Sequence, residues 1–443
     1  MIARVPHGLL FPTFVTLLTF AASVAHAQQS SSWTAAAIDR YAAEIEEQVI
    51  VWRRDIHQHP ELGNREFRTA ALVAEHLRSL GMEVQTEVAH TGVVGVLRGG
   101  RPGPVIALRA DMDALPVTEQ VDVPFASKVT TTYNGQEVGV MHACGHDNHV
   151  AVLMGAAQVL AQLQSDLPGT VKFIFQPAEE GSPAGENGGA EVMIQEGALE
   201  NPAPEAIFGL HVFPAYVGTV QYRSGGAMAS ADGLNIVVRG RQTHAARPWA
   251  GVDPVVVASQ IVLGLQTIAS RQLDVTATPS VITIGMIHGG VRSNIIPDEV
   301  ELNGTIRTFD PEIRLDIHRR IRQTAEAIAQ SAGATAEVNV RLGIPVTMND
   351  PALTEQMLPT LRRVVGAENL HLGNQRTGAE DFSLYAERIP GLFLFLGITP
   401  RGADLDTVPA NHSPHFFTDE EALLLGVRTL ASLAVDYMYA KER

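Results

Sequence analysis

The sequence predicts an α/β protein that carries a second, smaller α+β domain as an insertion. In its first half, short apolar runs that end in polar residues alternate with segments of helical apolar spacing, a pattern typical of a sheet covered on both faces. In its second half, a stretch of about 120 residues has the order β-α-β-β-α-β, which indicates a ferredoxin-like unit. The chain of 443 residues is long enough for two such domains.

The α/β domain is predicted from the positions of its apolar residues. Val105–Leu108 is a short apolar run expected to form a buried strand, and Val171–Phe175 and Ala206–Leu210 repeat the pattern. Helical apolar spacing is found in four segments, at residues 34–58, 66–80, 149–164 and 419–439. These segments are expected to form one domain made of residues 33–223 and 344–443.

The insertion is predicted to begin at a run of small residues. Ser224–Ser230 contains two consecutive glycines, which suits a crossing between domains. Six elements are expected after it, at residues 233–239, 253–270, 280–287, 299–307, 311–331 and 335–342. The chain then returns to the first domain at Ile344, so the inserted domain is expected to cover residues 224–343.

Residues 1–27 are predicted to be a signal peptide. Arg4 supplies a positive charge, residues 9–24 form an apolar run, and Ala25–Ala27 has the small-x-small pattern of a cleavage site. A membrane anchor is disfavoured because the run is short and no flanking charges follow it. The mature protein is therefore expected to be periplasmic or secreted. The net charge of −16 argues against binding to nucleic acid and, after cleavage, to anionic membranes.

The one cysteine of the chain, Cys144, lies in a segment that also contains three histidines. A single cysteine cannot form an internal disulfide, although the expected compartment is oxidising. Cys144 and His146 are two positions apart, so in an extended segment their side chains point to the same side. A thiolate and an imidazole in this arrangement bind zinc-like ions, although short Cys/His runs also occur without metal.

Two adjacent glutamates, Glu179 and Glu180, lie in the segment Gln176–Gly181, which directly follows the predicted strand Val171–Phe175. Adjacent glutamates usually lie in a solvated loop. At the end of a buried strand, however, one can bind a metal while the other holds the attacking water of a hydrolysis. Asp111, Asp113 and His211 also fall at the ends of apolar runs, on the edge of an α/β sheet where ligand sites form. The sequence therefore favours a metal site at this edge.

Four segments resemble the N-acyl-amino-acid amidohydrolase family, which includes hippurate hydrolases, auxin-conjugate hydrolases and N-acetyldiaminopimelate deacetylase. The segments are Arg109–Pro116, His142–Asp147, Phe175–Gly181 and Phe208–His211. This family belongs to the di-metal aminoacylase and carboxypeptidase superfamily, and the resemblance extends from about His57 to His415. It implies a di-metal peptidase-like catalytic domain with an inserted ferredoxin-like α+β domain that serves as a lid or dimerisation domain.

The resemblance implies two divalent metal ions per subunit. Their expected ligands are Cys144, His146, Glu180, His211 and His412. Mixed sulfur, nitrogen and oxygen ligands suit zinc, and manganese, cobalt or nickel fit the same geometry. The resemblance leaves open which ligand bridges the two ions.

The resemblance also implies roles for residues that do not bind metal. Glu179 is the expected general base, Asp113 the carboxylate that orients the site, and His244 the group that polarises the scissile carbonyl. The family pattern more often has glycine before that histidine, where this chain has Thr243, so a different local backbone geometry is expected. Two positions match those that hold the substrate's carboxylate, Asn294 and Arg307.

The expected reaction is metal-dependent hydrolysis of the amide bond of an N-acyl amino acid or a related small conjugate. In this family the histidine that aligns with His244 reaches the site of a partner subunit, so a homodimer formed through the insertion is expected. A metallo-carboxypeptidase or dipeptidase that acts on small peptides is one alternative. A nucleophilic Cys144 is disfavoured because nearby carboxylates raise a thiol's pKa. A non-catalytic solute-binding protein would leave Glu179 without a role.

Overall fold

The computed structural model describes residues 33–442, and the predicted signal peptide lies outside the described residues. The strands are β1 (Glu83–Val88), β2 (Gly92–Arg98), β3 (Arg101–Asp111), β4 (Thr130–Tyr133), β5 (Gln136–Gly139), β6 (Pro168–Gln176), β7 (Ala206–Tyr216), β8 (Val220–Tyr222), β9 (Gly225–Met228), β10 (Ala231–Arg239), β11 (Thr243–His244), β12 (Ser280–Gly289), β13 (Ile295–Ile296), β14 (Glu299–Thr308), β15 (Thr335–Ile344), β16 (Thr347–Asn349), β17 (Leu370–Leu372) and β18 (Gly391–Thr399). The helices are α1 (33–44), α2 (Glu46–Gln58), α3 (Phe67–Ser79), α4 (His146–Gln162), α5 (Gly189–Gln195), α6 (Pro254–Thr267), α7 (Pro311–Ser331), α8 (Pro351–Val365), α9 (Phe382–Ala386) and α10 (Glu421–Lys441).

The larger sheet has eight strands in the order β1-β2-β6-β3-β7-β18-β8-β17. Its centre, β6-β3-β7-β18, is parallel, whereas β2 runs antiparallel to β6. Because successive strand residues point to opposite faces, β6 contributes Phe173 and Phe175 to one core and Ile174 to another. Helices α4, α8 and α10 cover the first face, and α5 and α9 cover the second. The α/β prediction is confirmed.

The inserted region forms a sheet of its own, in the order β12-β14-β10-β15, with antiparallel neighbours. Its two helices bury apolar side chains against β10, where Leu234, Ile236 and Val238 point into a separate core. Asp253 and Asp310 cap α6 and α7 with their side chains, each followed by a proline whose missing N–H costs nothing at that position. The β-α-β-β-α-β order of the inserted region is as predicted. That this region serves as a lid or a dimerisation domain stays a prediction.

The two connections to the inserted region are paired with each other. Strand β9, within the predicted crossing, runs antiparallel to β16, which follows the return of the chain. At Gly226, an added Cβ would lie 2.2 Å from the backbone oxygen of Phe309, so the ribbon requires a glycine there. The entry and exit of the insertion are therefore held side by side.

Two local expectations were wrong. Strand β7 does not end before His211 but continues to Tyr216, because β18 pairs with it along this whole length. The segment from Cys144 to His146 is not extended: Gly145 has a φ of +91°, and His146 begins α4. A side chain at Gly145 would also meet Val212 at 2.4 Å. The chain therefore turns sharply between the two predicted ligands.

Helix α10 is the one helix within residues 33–442 that is long and apolar enough to cross a membrane. Of its apolar window, 72% is buried, mainly against α4, α8 and β3. Its apolar character therefore follows from its central position in the larger core.

Candidate metal centre and substrate pocket

The candidate site lies at the carboxyl edge of the parallel strands. Strand β3 ends at Asp111 and leads to Asp113, and β6 ends three residues before Glu179. His211 lies on β7 beside them, and α4 begins at the same edge with His146. Residues far apart in sequence meet here because parallel strands present their carboxyl ends on one side of the sheet.

His146 is held by Asp113 in the orientation that a metal ligand needs. Its Nδ1 lies 3.1 Å from Asp113 Oδ1. Its Nε2 is buried and has no hydrogen-bond partner among the described residues. A carboxylate that accepts the Nδ1 proton leaves the lone pair on Nε2, which is the usual arrangement behind a metal-bound imidazole.

His211 is oriented in the same way by a backbone group. Its Nδ1 lies 2.6 Å from the oxygen of Val212, and its Nε2 lies 3.3 Å from Cys144 Sγ. Burial holds the pKa of His211 well below its ordinary value, so the ring is neutral. Burial also raises the pKa of the Cys144 thiol, which disfavours a nucleophilic cysteine and suits a thiolate that forms only when a cation binds it.

Glu180 and His412 complete the set of predicted ligands. The Nε2 of His412 lies 2.9 Å from Glu180 Oε1, and the backbone N–H of Glu180 donates to Asp113 Oδ2 at 2.9 Å. His412 has a φ of +72°, and its own N–H donates to the oxygen of Ala143 at 2.7 Å. Asp113 therefore positions two predicted ligands at once, and the loop of His412 is tied to the cysteine segment.

The five predicted ligands form overlapping groups of donor atoms. Within each group the atoms lie within 4.8 Å of one another, and the groups are Cys144–His146–His211, Cys144–Glu180–His412 and His146–Glu179–Glu180. Cys144, His146 and Glu180 each belong to two of these three groups. Hydrogen bonds to Cys144 and Glu180 raise the pKa of His412 to about 10, so this group of donor atoms favours a bound positive charge. A divalent cation would supply this positive charge in place of the proton on His412, so the residues fit a metal centre.

His149 does not fit as a ligand, although it lies close to His146. Its Nδ1 is 2.5 Å from Asp111 Oδ1, and its Nε2 accepts the N–H of Val212 at 2.9 Å. Both ring nitrogens are therefore used. His149 and Asp111 instead support the site from behind.

The two adjacent glutamates have opposite electrostatic environments. Burial and the neighbouring carboxylates of Glu380, Glu180 and Asp381 raise the pKa of Glu179 well above its ordinary value. Burial acts in the same direction on Glu180, but the nearby His412 and His146 outweigh it and lower the pKa. Pairs of carboxyl groups whose pKa values are shifted in opposite directions commonly divide proton transfer and charge stabilisation between them.

A buried ion network behind Glu179 was not assigned from the sequence. The guanidinium of Arg109 donates to Asp111 at 2.6 Å and to Asp381 at 2.7 Å, and lies 3.1 Å from Glu380. The Nε2 of Gln176 donates to Asp381 at 2.8 Å. Arg109, Asp111 and Gln176 lie within the recognised segments, but Glu380 and Asp381 are more than 200 residues away in sequence, so only the fold brings them together.

A pocket of about 550 Å³ opens over these groups. It is lined by Cys144, Glu179, Glu180, His211 and His412, together with Arg307 from the inserted region. The structure thus brings Arg307 to the predicted site. His244 and Asn294 do not line this pocket. They lie next to each other on the exposed surface, where Ala245 N–H donates to the oxygen of Asn294.

Comparisons with known proteins agree with this geometry. The sequence profile of peptidase family M20/M25/M40 matches residues 107–436, which is more than half of the chain. The chain belongs to this family. The resemblance found in the four motifs is confirmed, and so is the prediction of a hydrolase. The non-catalytic alternative is not supported.

Relatives within the M20/M25/M40 family cover nearly the whole described chain. Thermostable carboxypeptidase 2 of Saccharolobus solfataricus is 41% identical over 400 residues, which cover 89% of this chain and 96% of the relative. The N-acetylcysteine deacetylase of Bacillus subtilis is 39% identical over 389 residues, which cover 87% and 96%. The crystal structure of the Bacillus subtilis YXEP protein, a dinuclear metal binding peptidase from the M20 family, is 37% identical with a TM-score of 0.76, covering 89% and 99%.

Proposed function

We propose that this protein hydrolyses the amide bond of N-acyl amino acids or related small amide conjugates, with two divalent metal ions per subunit. The observation that carries the proposal is the pocket in which Glu179 stands beside a set of sulfur, nitrogen and oxygen donors, with Arg307 on its wall. A carboxylate base and a cation site are the groups that metal-assisted hydrolysis uses, and a guanidinium can hold the carboxylate of the substrate.

The proposed metal ligands are Cys144, His146, Glu180, His211 and His412. Ions bound there would polarise the amide carbonyl and lower the pKa of the attacking water. Zinc or manganese is our first choice because the ligands are mixed, and cobalt or nickel fits the same donors.

The protein's own groups carry the remaining steps. Glu179 accepts the proton of the attacking water and delivers it to the leaving nitrogen, and the carboxylates around it favour its protonated form between these two transfers. Arg307 pairs with the carboxylate of the amino-acid part and so fixes the position of the scissile bond.

We further propose a homodimer formed through the inserted region, with His244 and Asn294 completing the site of the partner subunit. Strand β12 is at the edge of its sheet, and three of its apolar side chains are 40–59% exposed: Val281, Met286 and Ile287. Helix α6 adds Val255, Val256 and Leu263, which are also exposed. An open edge strand with exposed apolar residues suits pairing with a second copy. In such a dimer, His244 would stabilise the negative charge that develops on the carbonyl oxygen.

We also propose that the mature protein is periplasmic or secreted. This proposal is supported by the charged, apolar and small-residue regions of residues 1–27. Mass determination of the N-terminus of the protein recovered from the periplasm or medium tests it, with cleavage expected after Ala27. An intact N-terminus on a cytoplasmic protein would contradict it.

The proposed division of roles is tested with Glu179→Gln and Glu180→Ala. Glu179→Gln keeps the size of the side chain but removes the base, so kcat should fall by about 10²–10⁴-fold while the metal content stays near that of the parent. Glu180→Ala should lose metal and activity together. Hydrolysis is measured by release of the free amino acid, and metal content by elemental analysis. Equal metal loss in both variants would contradict these roles.

A carboxypeptidase or dipeptidase activity is a second candidate, because relatives that are 40–41% identical are named carboxypeptidases. The two activities are separated by substrates that share one C-terminal residue, such as N-acetylalanine, N-benzoylalanine and alanylalanine. A higher kcat/KM for the acyl compounds supports our first choice. A higher kcat/KM for the peptide supports the second.

A further inference from the structure

Arg376 lines the same pocket as the candidate metal ligands but has no role in the reaction described so far. Its backbone is fixed between two neighbours: its N–H donates to the oxygen of Ala227, and its oxygen accepts the N–H of Ala229, each at 3.0 Å. Ala227 belongs to strand β9 of the ribbon that connects the two domains, and Ala229 directly follows that strand. Arg376 therefore has a defined position on the wall of the pocket.

The guanidinium of Arg376 rests on two aromatic rings. Its Cζ lies 3.3 Å from the centre of the Phe213 ring and 4.1 Å from that of Phe395. One end, Nη2, donates to Gln221 Oε1 at 2.8 Å. The Nε is buried and has no hydrogen-bond partner among residues 33–442. The side chain is thus held in place by stacking while part of its donor capacity stays unused.

Arg376 differs from the buried arginines of the chain in the charges that surround it. Arg53, Arg109 and Arg314 each contact at least one carboxylate within 2.8 Å, whereas no ion pair with Arg376 is found in the described part of the chain. Burial lowers the pKa of Arg376 to about 10, so the group remains cationic at neutral pH. A partly buried cation without an anionic partner is costly, and an anionic ligand would offset that cost.

We propose that Arg376 binds a second carboxylate of the substrate, so that the preferred substrates are amides with two carboxylates. This inference rests on the proposed function and narrows its substrate class. Arg307 takes the α-carboxylate of the amino-acid part, and Arg376 takes a carboxylate carried either by the acyl group or by the amino-acid side chain. The two arginines belong to different domains but line one pocket, so a dianionic substrate would contact both.

Two matched pairs of substrates distinguish the sources of the second carboxylate. N-Succinylalanine and its terminal amide differ only in the charge of the acyl group. N-Acetylglutamate and N-acetylglutamine differ only in the charge of the amino-acid side chain. For each pair, the ratio of kcat/KM for the acid to that for the amide measures recognition of the second carboxylate.

In the parent, this ratio should exceed about 10 for one pair. Arg376→Gln should lower the same ratio by about 10- to 100-fold, the range of a charge-assisted hydrogen bond. Arg376→Lys should retain part of the preference, because it keeps the charge but loses the planar fork. The matched control is Arg362→Gln, at an exposed arginine on α8, which should leave both ratios unchanged.

A binding measurement tests Arg376 without catalysis. In zinc-loaded Glu179→Gln protein, added Arg376→Gln should weaken the calorimetric affinity for the preferred acid by about 10- to 100-fold and that for its amide by less than about 3-fold. Equal weakening for acid and amide would overturn the proposal in favour of a structural role, as would ratios near one for both pairs in the parent. If the parent hydrolyses no amide at all, the proposed function fails, and the calorimetry still decides whether Arg376 selects a carboxylate.

Discussion

The carboxylate of Asp113 accepts hydrogen bonds from two predicted metal ligands, one through each oxygen. Oδ1 lies 3.1 Å from His146 Nδ1, and Oδ2 accepts the backbone N–H of Glu180 at 2.9 Å. Asp113→Asn preserves the shape of the side chain but replaces one acceptor by an NH₂ donor. Either the new donor faces the N–H of Glu180, or it faces His146 and moves the imidazole proton to Nε2.

Each orientation impairs one ligand, because a protonated Nε2 cannot bind metal and a displaced Glu180 changes the donor geometry. Loss of such an outer partner typically lowers metal affinity by about 10- to 100-fold, which corresponds to roughly 1.4–2.8 kcal/mol. We therefore expect Asp113→Asn to weaken zinc binding by this amount and to lower kcat/KM at limiting zinc. At saturating zinc, part of the activity should return.

The assay is a zinc titration of metal-stripped protein in competition with a chelating indicator, supported by elemental analysis after dialysis. Asp122→Asn, at an exposed aspartate, serves as the matched control and should bind zinc like the parent. Thermal unfolding checks that both variants are folded. A zinc affinity of folded Asp113→Asn within about twofold of the parent would refute the orienting role.

Three further predictions concern the inserted region. Burial alone would raise the pKa of Asp232, but hydrogen bonds from Arg314, His318 and Gly343 hold it well below its ordinary value. Asp232→Asn should therefore lower the free energy of unfolding by about 3 kcal/mol at pH 7. Denaturant titrations should show this difference shrinking as the pH falls below about 4, because Asp232 of the parent then becomes protonated. A difference that does not change with pH would contradict the coupling between folding and the ionisation of Asp232. Arg307→Ala should lower kcat/KM by about 10- to 100-fold for substrates with a free α-carboxylate and much less for their methyl esters; equal losses would exclude the ion pair. A mixture of Glu179→Gln and His244→Ala subunits should be more active than either variant alone, because mixed dimers regain one complete site; no gain after verified subunit exchange would assign His244 to its own chain or to no role.

Local patterns predicted most of the elements that position the site. The apolar runs at β3, β6 and β7 were found because buried parallel strands need apolar side chains on both faces. Helix α7 matches its predicted bounds, since Asp310 and Pro311 mark its beginning. Strand β18 was not predicted: its nine residues are all buried, and a short apolar run alone does not distinguish a strand from a helix.

Some features of the candidate site were likewise predictable from the sequence, and others were decided by the tertiary structure. The kinds of residues and their place at strand ends indicated a metal-dependent hydrolase, and the motifs identified the five predicted ligands. The orientation of His146 and His211, the opposite pKa shifts of Glu179 and Glu180, and the position of Arg376 were decided by tertiary structure. Each depends on groups that the sheet order brings together from distant parts of the chain, and sequence spacing carries no information on such contacts.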